Sequence, residues 1–158
     1  MRKLSILVVA LLVVAVAAAV ATAAKKPIAF TGKYTGTATT KTADTTATIN
    51  ANGTGTGTLL GAGKITGAGT ADTAQRPCLP FTGTGKMSGA GGVIIFKVNP
   101  ASTACGDDAG QLFSFTGKAA VLEGTGKLIK AKGTLKMTGT FDRSSGAFTA
   151  KFTGSLAH

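Results

Sequence analysis

The chain has 158 residues, with 17 Lys and Arg against 6 Asp and Glu, a formal net charge of +11. That length suits one domain; the 23 glycines lack the three-residue period of collagen, and the composition argues against a coiled coil or a large helical enzyme.

Arg2 and Lys3 precede an apolar run from Leu4 to about Val20, and Ala21-Thr22-Ala23 puts small residues where a signal peptidase reads. The pattern predicts a secretory signal peptide over 1–23. Its rival is an uncleaved membrane anchor, because the run is close to the shortest that spans a bilayer. Residues 24–158 are then expected to form a single domain, extracellular or associated with the cell envelope. It stays basic, since only Arg2 and Lys3 leave with the leader. Outside a cell such a charge points to anionic polymers or lipid as partners, rather than to a genome.

Further along, strands are predicted near 28–40, 62–71, 81–88, 92–98 and 111–118. Between Thr45 and Leu59 the odd positions (Ala47, Ile49, Ala51, Gly53, Gly55, Gly57, Leu59) are apolar or small, and the even ones are Thr or Asn. Such a two-residue period marks a strand with one face in the core and one in water. Asn52-Gly53 suggests a turn inside this run. A two-residue turn would swap the faces, so a three-residue loop Ala51-Asn52-Gly53 is predicted, with one unbroken strand as the alternative. A hairpin turn is expected at Gly89-Ala90-Gly91-Gly92. Residues 72–80 and 99–110 read as irregular and hold the two cysteines, Cys78 and Cys105. In an exported chain they are expected to form a disulfide that ties the two loops together. Closing so long a loop is worth roughly 3 to 4 kcal/mol on chain-entropy grounds, which suits a chain whose large apolar side chains are too few for a thick core.

From Ile129 to Phe141 the odd positions read Ile129, Ala131, Gly133, Leu135, Met137, Gly139 and Phe141, against Lys130, Lys132, Thr134, Lys136, Thr138 and Thr140. After a break the pattern resumes with Phe148, Ala150, Phe152, Gly154 and Leu156 on the apolar face. Pairing Asp142 with Ala147 keeps both apolar faces together. It leaves Arg143-Ser144-Ser145-Gly146 as a four-residue loop and sets Lys151 opposite Thr138. A Phe-Thr-Gly unit recurs at Phe30, Phe81, Phe115 and Phe152 with unequal spacing, so it is no solenoid repeat. About eight glycine-rich antiparallel strands predict an all-β barrel, a closed form that removes exposed edges.

Glu123-Gly124-Thr125-Gly126-Lys127-Leu128-Ile129-Lys130-Ala131-Lys132-Gly133 resembles the Gly-Thr-Gly, aromatic or aliphatic, then Ala-x-Gly signature of the allene oxide cyclase and dirigent-like barrel superfamily, including its secreted bacterial members. The resemblance implies an eight-stranded antiparallel barrel with an apolar lumen. It also implies cyclisation of a fatty-acid epoxide or steering of phenoxy-radical coupling, activities that depend on polar groups within the barrel. The inferred inward positions of the last hairpin carry no charge, and Leu128 stands where an aromatic is usual. No catalytic residue is carried over.

Function is weighed on the remaining chemistry. Ile129, Leu135, Met137, Phe141, Phe148 and Phe152 would line a lumen without hydrogen-bond donors, suited to a small apolar ligand. Lys130, Lys132, Lys136 and Lys151 share the wet face and form a candidate site for an anionic envelope polymer or lipid. Glu123 continues the odd parity; turned inward, it would serve an isomerase-like enzyme as a general acid or base. Asp107-Asp108 beside Gly106 reads as turn chemistry, with a cation site as the alternative. The one histidine is His158, the last residue, which leaves no triad or His-rich metal site. No cofactor and no metal are expected. With no Trp and one Tyr to stack bases, nucleic acid is not an expected partner. The sequence reading is thus a secreted non-enzymatic barrel, structural or carrying an apolar molecule in its lumen.

Overall fold

A computed structural model describes residues 26–157. The predicted leader over 1–23 and His158 lie outside them. Eight strands follow one another: β1 (Ile28–Ala43), β2 (Thr46–Gly57), β3 (Gly61–Asp72), β4 (Cys78–Gly89), β5 (Gly92–Gly106), β6 (Leu112–Gly124), β7 (Lys132–Asp142) and β8 (Ala147–Ala157). Each pairs antiparallel with the next, and β8 pairs with β1, so the sheet closes into the predicted barrel. Thr supplies much of the outward face, where a β-branched side chain fits the pleated surface.

The last hairpin has the predicted register. Phe141 faces Phe148 and Thr138 faces Lys151, with strands ending at Asp142 and resuming at Ala147. The turn within Gly89–Gly92 is also present, Gly89 pairing with Gly92. The predicted loop at Ala51–Gly53 is not. β2 runs through it unbroken, Ala38 facing Ala51 and Gly36 facing Gly53. The reversal comes earlier, at Asp44-Thr45, where Asp44 takes a left-handed φ of 51°. A β1 that continues to Ala43 needs a β2 that starts at Thr46, and Asn52-Gly53 is absorbed into the wall.

β5 also outruns its prediction. It reaches Gly106 because Asn99, Pro100 and Ala101 form a bulge: Phe81 faces Ser102 while Gly83 already faces Val98. A bulge tolerates a proline that a regular ladder would not. Thr82 donates its hydroxyl to the Val98 carbonyl at 3.0 Å, and Asn99 Oδ1 accepts from the Ala101 amide at 2.8 Å. Cys78 and Cys105 are bonded. They face each other across β4 and β5, so the disulfide joins two strand ends rather than two loops.

The interior is uneven along the barrel axis. At one end, Phe30, Tyr34, Leu60, Met87, Ile94, Leu128, Leu135 and Leu156 are each at most 2% exposed. The connections there hold one another: the Gly91 amide donates to the Leu60 carbonyl at 3.0 Å, and the Lys127 amide donates to the Gly91 carbonyl at 2.8 Å. The β6–β7 connection carries a single 3₁₀ turn, Gly126–Leu128, which lays Leu128 over the core at 0% exposure. This end is sealed. At the other end lie the β1–β2, β3–β4, β5–β6 and β7–β8 connections.

Candidate functional site

The open half is hollow because of what β1 to β3 place there. Along β1 the inward side chains pass from Phe30 and Tyr34 at the sealed end to Ala38, Thr40 and Thr42 near the rim; along β3 they pass from Ile65 to Gly67, Gly69 and Ala71. These small groups leave a cavity of about 300 Å³, the size at which ligand pockets begin. Eight strands enclose room for one such guest. Seven of the eight phenylalanines, all but Phe30, line it.

Those rings are positioned across the sheet by glycines. Phe96 faces Gly85, Phe115 faces Gly139 and Phe148 faces Gly36. A Cβ on Gly85 or Gly139 would run into the ring it faces. The missing side chain is thus the seat of its neighbour's ring, an arrangement in which an aromatic covers a strand glycine. Phe81 and Phe115 meet edge to face at 6.2 Å between centroids, and Phe96 lies 5.3 Å from Phe152.

Of the six residues expected to line a lumen, Met137, Phe141, Phe148 and Phe152 do. Leu135 points inward but is fully buried in the sealed half. Ile129 does not point inward. It is 60% exposed, because the 3₁₀ turn and a left-handed Lys130, φ 61°, break the alternation before β7 starts at Lys132. Leu128 takes the buried place that parity assigned to Ile129.

The same break dissolves the predicted lysine set. Lys130 sits in the connection at the sealed end, and Lys132 donates its ammonium to the Leu122 carbonyl. Lys136 and Lys151 are exposed on the wall, each with a lysine that sequence parity did not reveal. Lys118 faces Lys136 across β6 and β7, and Lys33 faces Lys151 across β1 and β8. The four form a band over adjacent strands. Lys118 and Lys136, with Asn99 from the β5 bulge, Ala120 and Thr134, line a depression on the outer wall.

Glu123 is exposed and does not line the cavity. Phe96 faces Val121 and Ile95 faces Glu123, so Leu122 is an extra residue that reverses the parity of β6 beyond it. The isomerase reading loses its acid–base group. Asp107 accepts the Gln111 and Leu112 amides at 2.8 and 3.2 Å, the turn chemistry expected of it. Among the described residues no three His, Cys, Asp or Glu side chains gather as a metal site.

Two cavity residues escaped sequence reasoning. Arg76 and Arg143 are the charged side chains of the lining; they stand in the β3–β4 and β7–β8 connections, which carry no alternation. The signal available was rarity, for the chain's third arginine is Arg2. Comparison with family models, with curated proteins and with solved structures returns no match.

Proposed function

We propose that the protein is an exported, non-enzymatic barrel that binds a small apolar molecule in its open-ended cavity. The observation that carries this is the cavity itself, about 300 Å³ and walled by seven phenylalanine rings. A barrel needed only as a scaffold gains stability by filling such a space, since an empty apolar volume costs about 24 cal/mol per Å³. The signal-like leader and the disulfide support export to an oxidising compartment. Membership of the allene oxide cyclase and dirigent-like superfamily is part of the same proposal. It is supported by the barrel and by the signature segment, which forms the connection that seals one end.

Native mass spectrometry of the protein purified from its host tests the reading. A hydrophobic molecule carried through purification and released on denaturation supports it. A guest-free protein that also takes up no apolar compound in solution rejects it.

A second reading is that the outer wall binds an anionic envelope polymer or lipid. It is favoured by the directly opposed pairs Lys118–Lys136 and Lys33–Lys151. Like charges placed opposite each other destabilise a sheet, and no carboxylate stands between them on these strands. An anionic partner would relieve that repulsion.

A further inference from the structure

From the mouth of the cavity we infer the chemical class of its guest: an amphipathic anion, with an apolar body among the phenylalanines and a carboxylate-like head held by Arg76 and Arg143. This inference rests on the cavity reading and adds a head group to it. Among the described residues, the charged side chains of the lining are these two arginines, with no carboxylate beside them. Both belong to open-end connections, so the positive charge sits at the rim, above apolar walls. They are also referred to the same stretch of chain. A terminal nitrogen of Arg76 lies 4.0 Å from where a Cβ on Gly110 would stand, and the Arg143 amide donates to the Gln111 carbonyl at 2.8 Å.

The acidic groups of this end are engaged elsewhere. Asp72 accepts from the Ala74 amide and the Gln75 side chain, Asp107 from the Gln111 and Leu112 amides, and Asp142 from Ser144 and Ser145. Asp44 and Asp108, exposed in their turns, are also outside the lining. Three carboxylates thus brace the loops, while both arginines belong to the lining of the mouth. A planar fork of N–H donors matches a carboxylate better than an ammonium does, and none of the described lysines belongs to this lining. Thr40, Thr42 and Thr73 add hydroxyls at the same level. Arg76 and Arg143 are both exposed and so open to a ligand at the entrance; an apolar molecule without a charged head uses the wall alone, whereas an amphipathic anion uses wall and rim together.

The test compares decanoate with decan-1-ol, the same chain length with and without charge, by isothermal titration of the full mature protein at neutral pH. Decanoate should bind about tenfold more tightly or better. In Arg76→Gln/Arg143→Gln that advantage should fall to about twofold or less, with decanol affinity unchanged, which also shows that the variant is folded. Equal affinity of the native protein for both probes overturns the head-group inference and leaves the cavity reading standing. So does a preference for decanoate that survives in the double variant, because lysines elsewhere then hold the anion. Binding of neither probe overturns both.

Discussion

Tyr34 shows how closely the sealed half is packed. It is 2% exposed, edge-on to Phe152 at 6.2 Å, and lodged against Gly55 and Gly57, whose absent side chains make room for its ring. Its hydroxyl has no hydrogen-bond partner among the described residues, and burial raises its pKa from 10.0 to about 12. A buried donor left unmatched costs about 1 to 3 kcal/mol, whereas an apolar group of the same shape costs nothing there. Tyr34→Phe should therefore stabilise the protein by about 1 kcal/mol, read as a higher unfolding midpoint in denaturant. The raised pKa adds a pH signature. The folded state holds the phenol neutral, so this contribution is intact below pH 10 and is lost as the pH climbs toward about 12. The difference between native protein and Phe variant isolates the phenol, and it should widen across that window. At this scale the sequence was readable wherever alternation was regular, as at Met137, Phe141, Phe148 and Phe152. It misled at Ile129, where one 3₁₀ turn reverses parity without altering composition. Near Glu123, by contrast, Gly124 and Gly126 signalled a broken register, and Glu123 is exposed.

Among the elements, the β7–β8 hairpin was legible in full because two clean alternations and a loop of polar residues admit one register. Its turn is held by Asp142. The Ser144 hydroxyl and amide donate to Oδ1 at 2.6 and 2.8 Å, and the Ser145 amide does so at 3.3 Å. Side-chain bonds from Ser144 and Ser145, then backbone ones, lower its pKa from 3.8 to about 2. Because the folded value is depressed, the stabilisation is present above the ordinary carboxylate range and disappears as the pH falls toward about 2. Thermal melts of native protein and Asp142→Ala should differ most at neutral pH and converge as the pH drops through that interval. A gap that stays constant with pH would mean that the charged carboxylate is not what holds the turn. The β1–β2 pair taught the opposite lesson. Asn52-Gly53 is a strong local hairpin signal, yet the required length of β1 outweighs it, and Gly53 leaves space beside the Phe148 ring. The β5 bulge was hidden too, since Asn99-Pro100 reads as a loop unless both neighbouring strands are known.

For the whole molecule, closure into a barrel followed from strand number and glycine content. Which half would be hollow depended on the order of large and small side chains along β1 and β3, legible only once both strands had a direction. Charge follows the same geometry. Five of the six acidic residues, Asp44, Asp72, Asp107, Asp108 and Asp142, lie at the open end or in its connections, while Lys33, Lys118, Lys136 and Lys151 band the wall. If that band binds anionic lipid, the protein should sediment with phosphatidylglycerol vesicles at low salt and be released as salt rises. Changing all four lysines to Gln should weaken this by up to about a thousandfold, at roughly 1 kcal/mol per lysine near such a surface, while Arg76→Gln/Arg143→Gln leaves it unaltered. Sedimentation indifferent to the four substitutions would reject the second reading. The interlocked connections behind Leu128 have a further consequence. With its floor shut, the molecule is a cup and not a conduit: a guest of the kind proposed would have to back out through the doorway it came by, tail first in and head first out. Were the protein to hand such a guest on, the recipient would have to meet the rim, so that uptake and release would share one threshold.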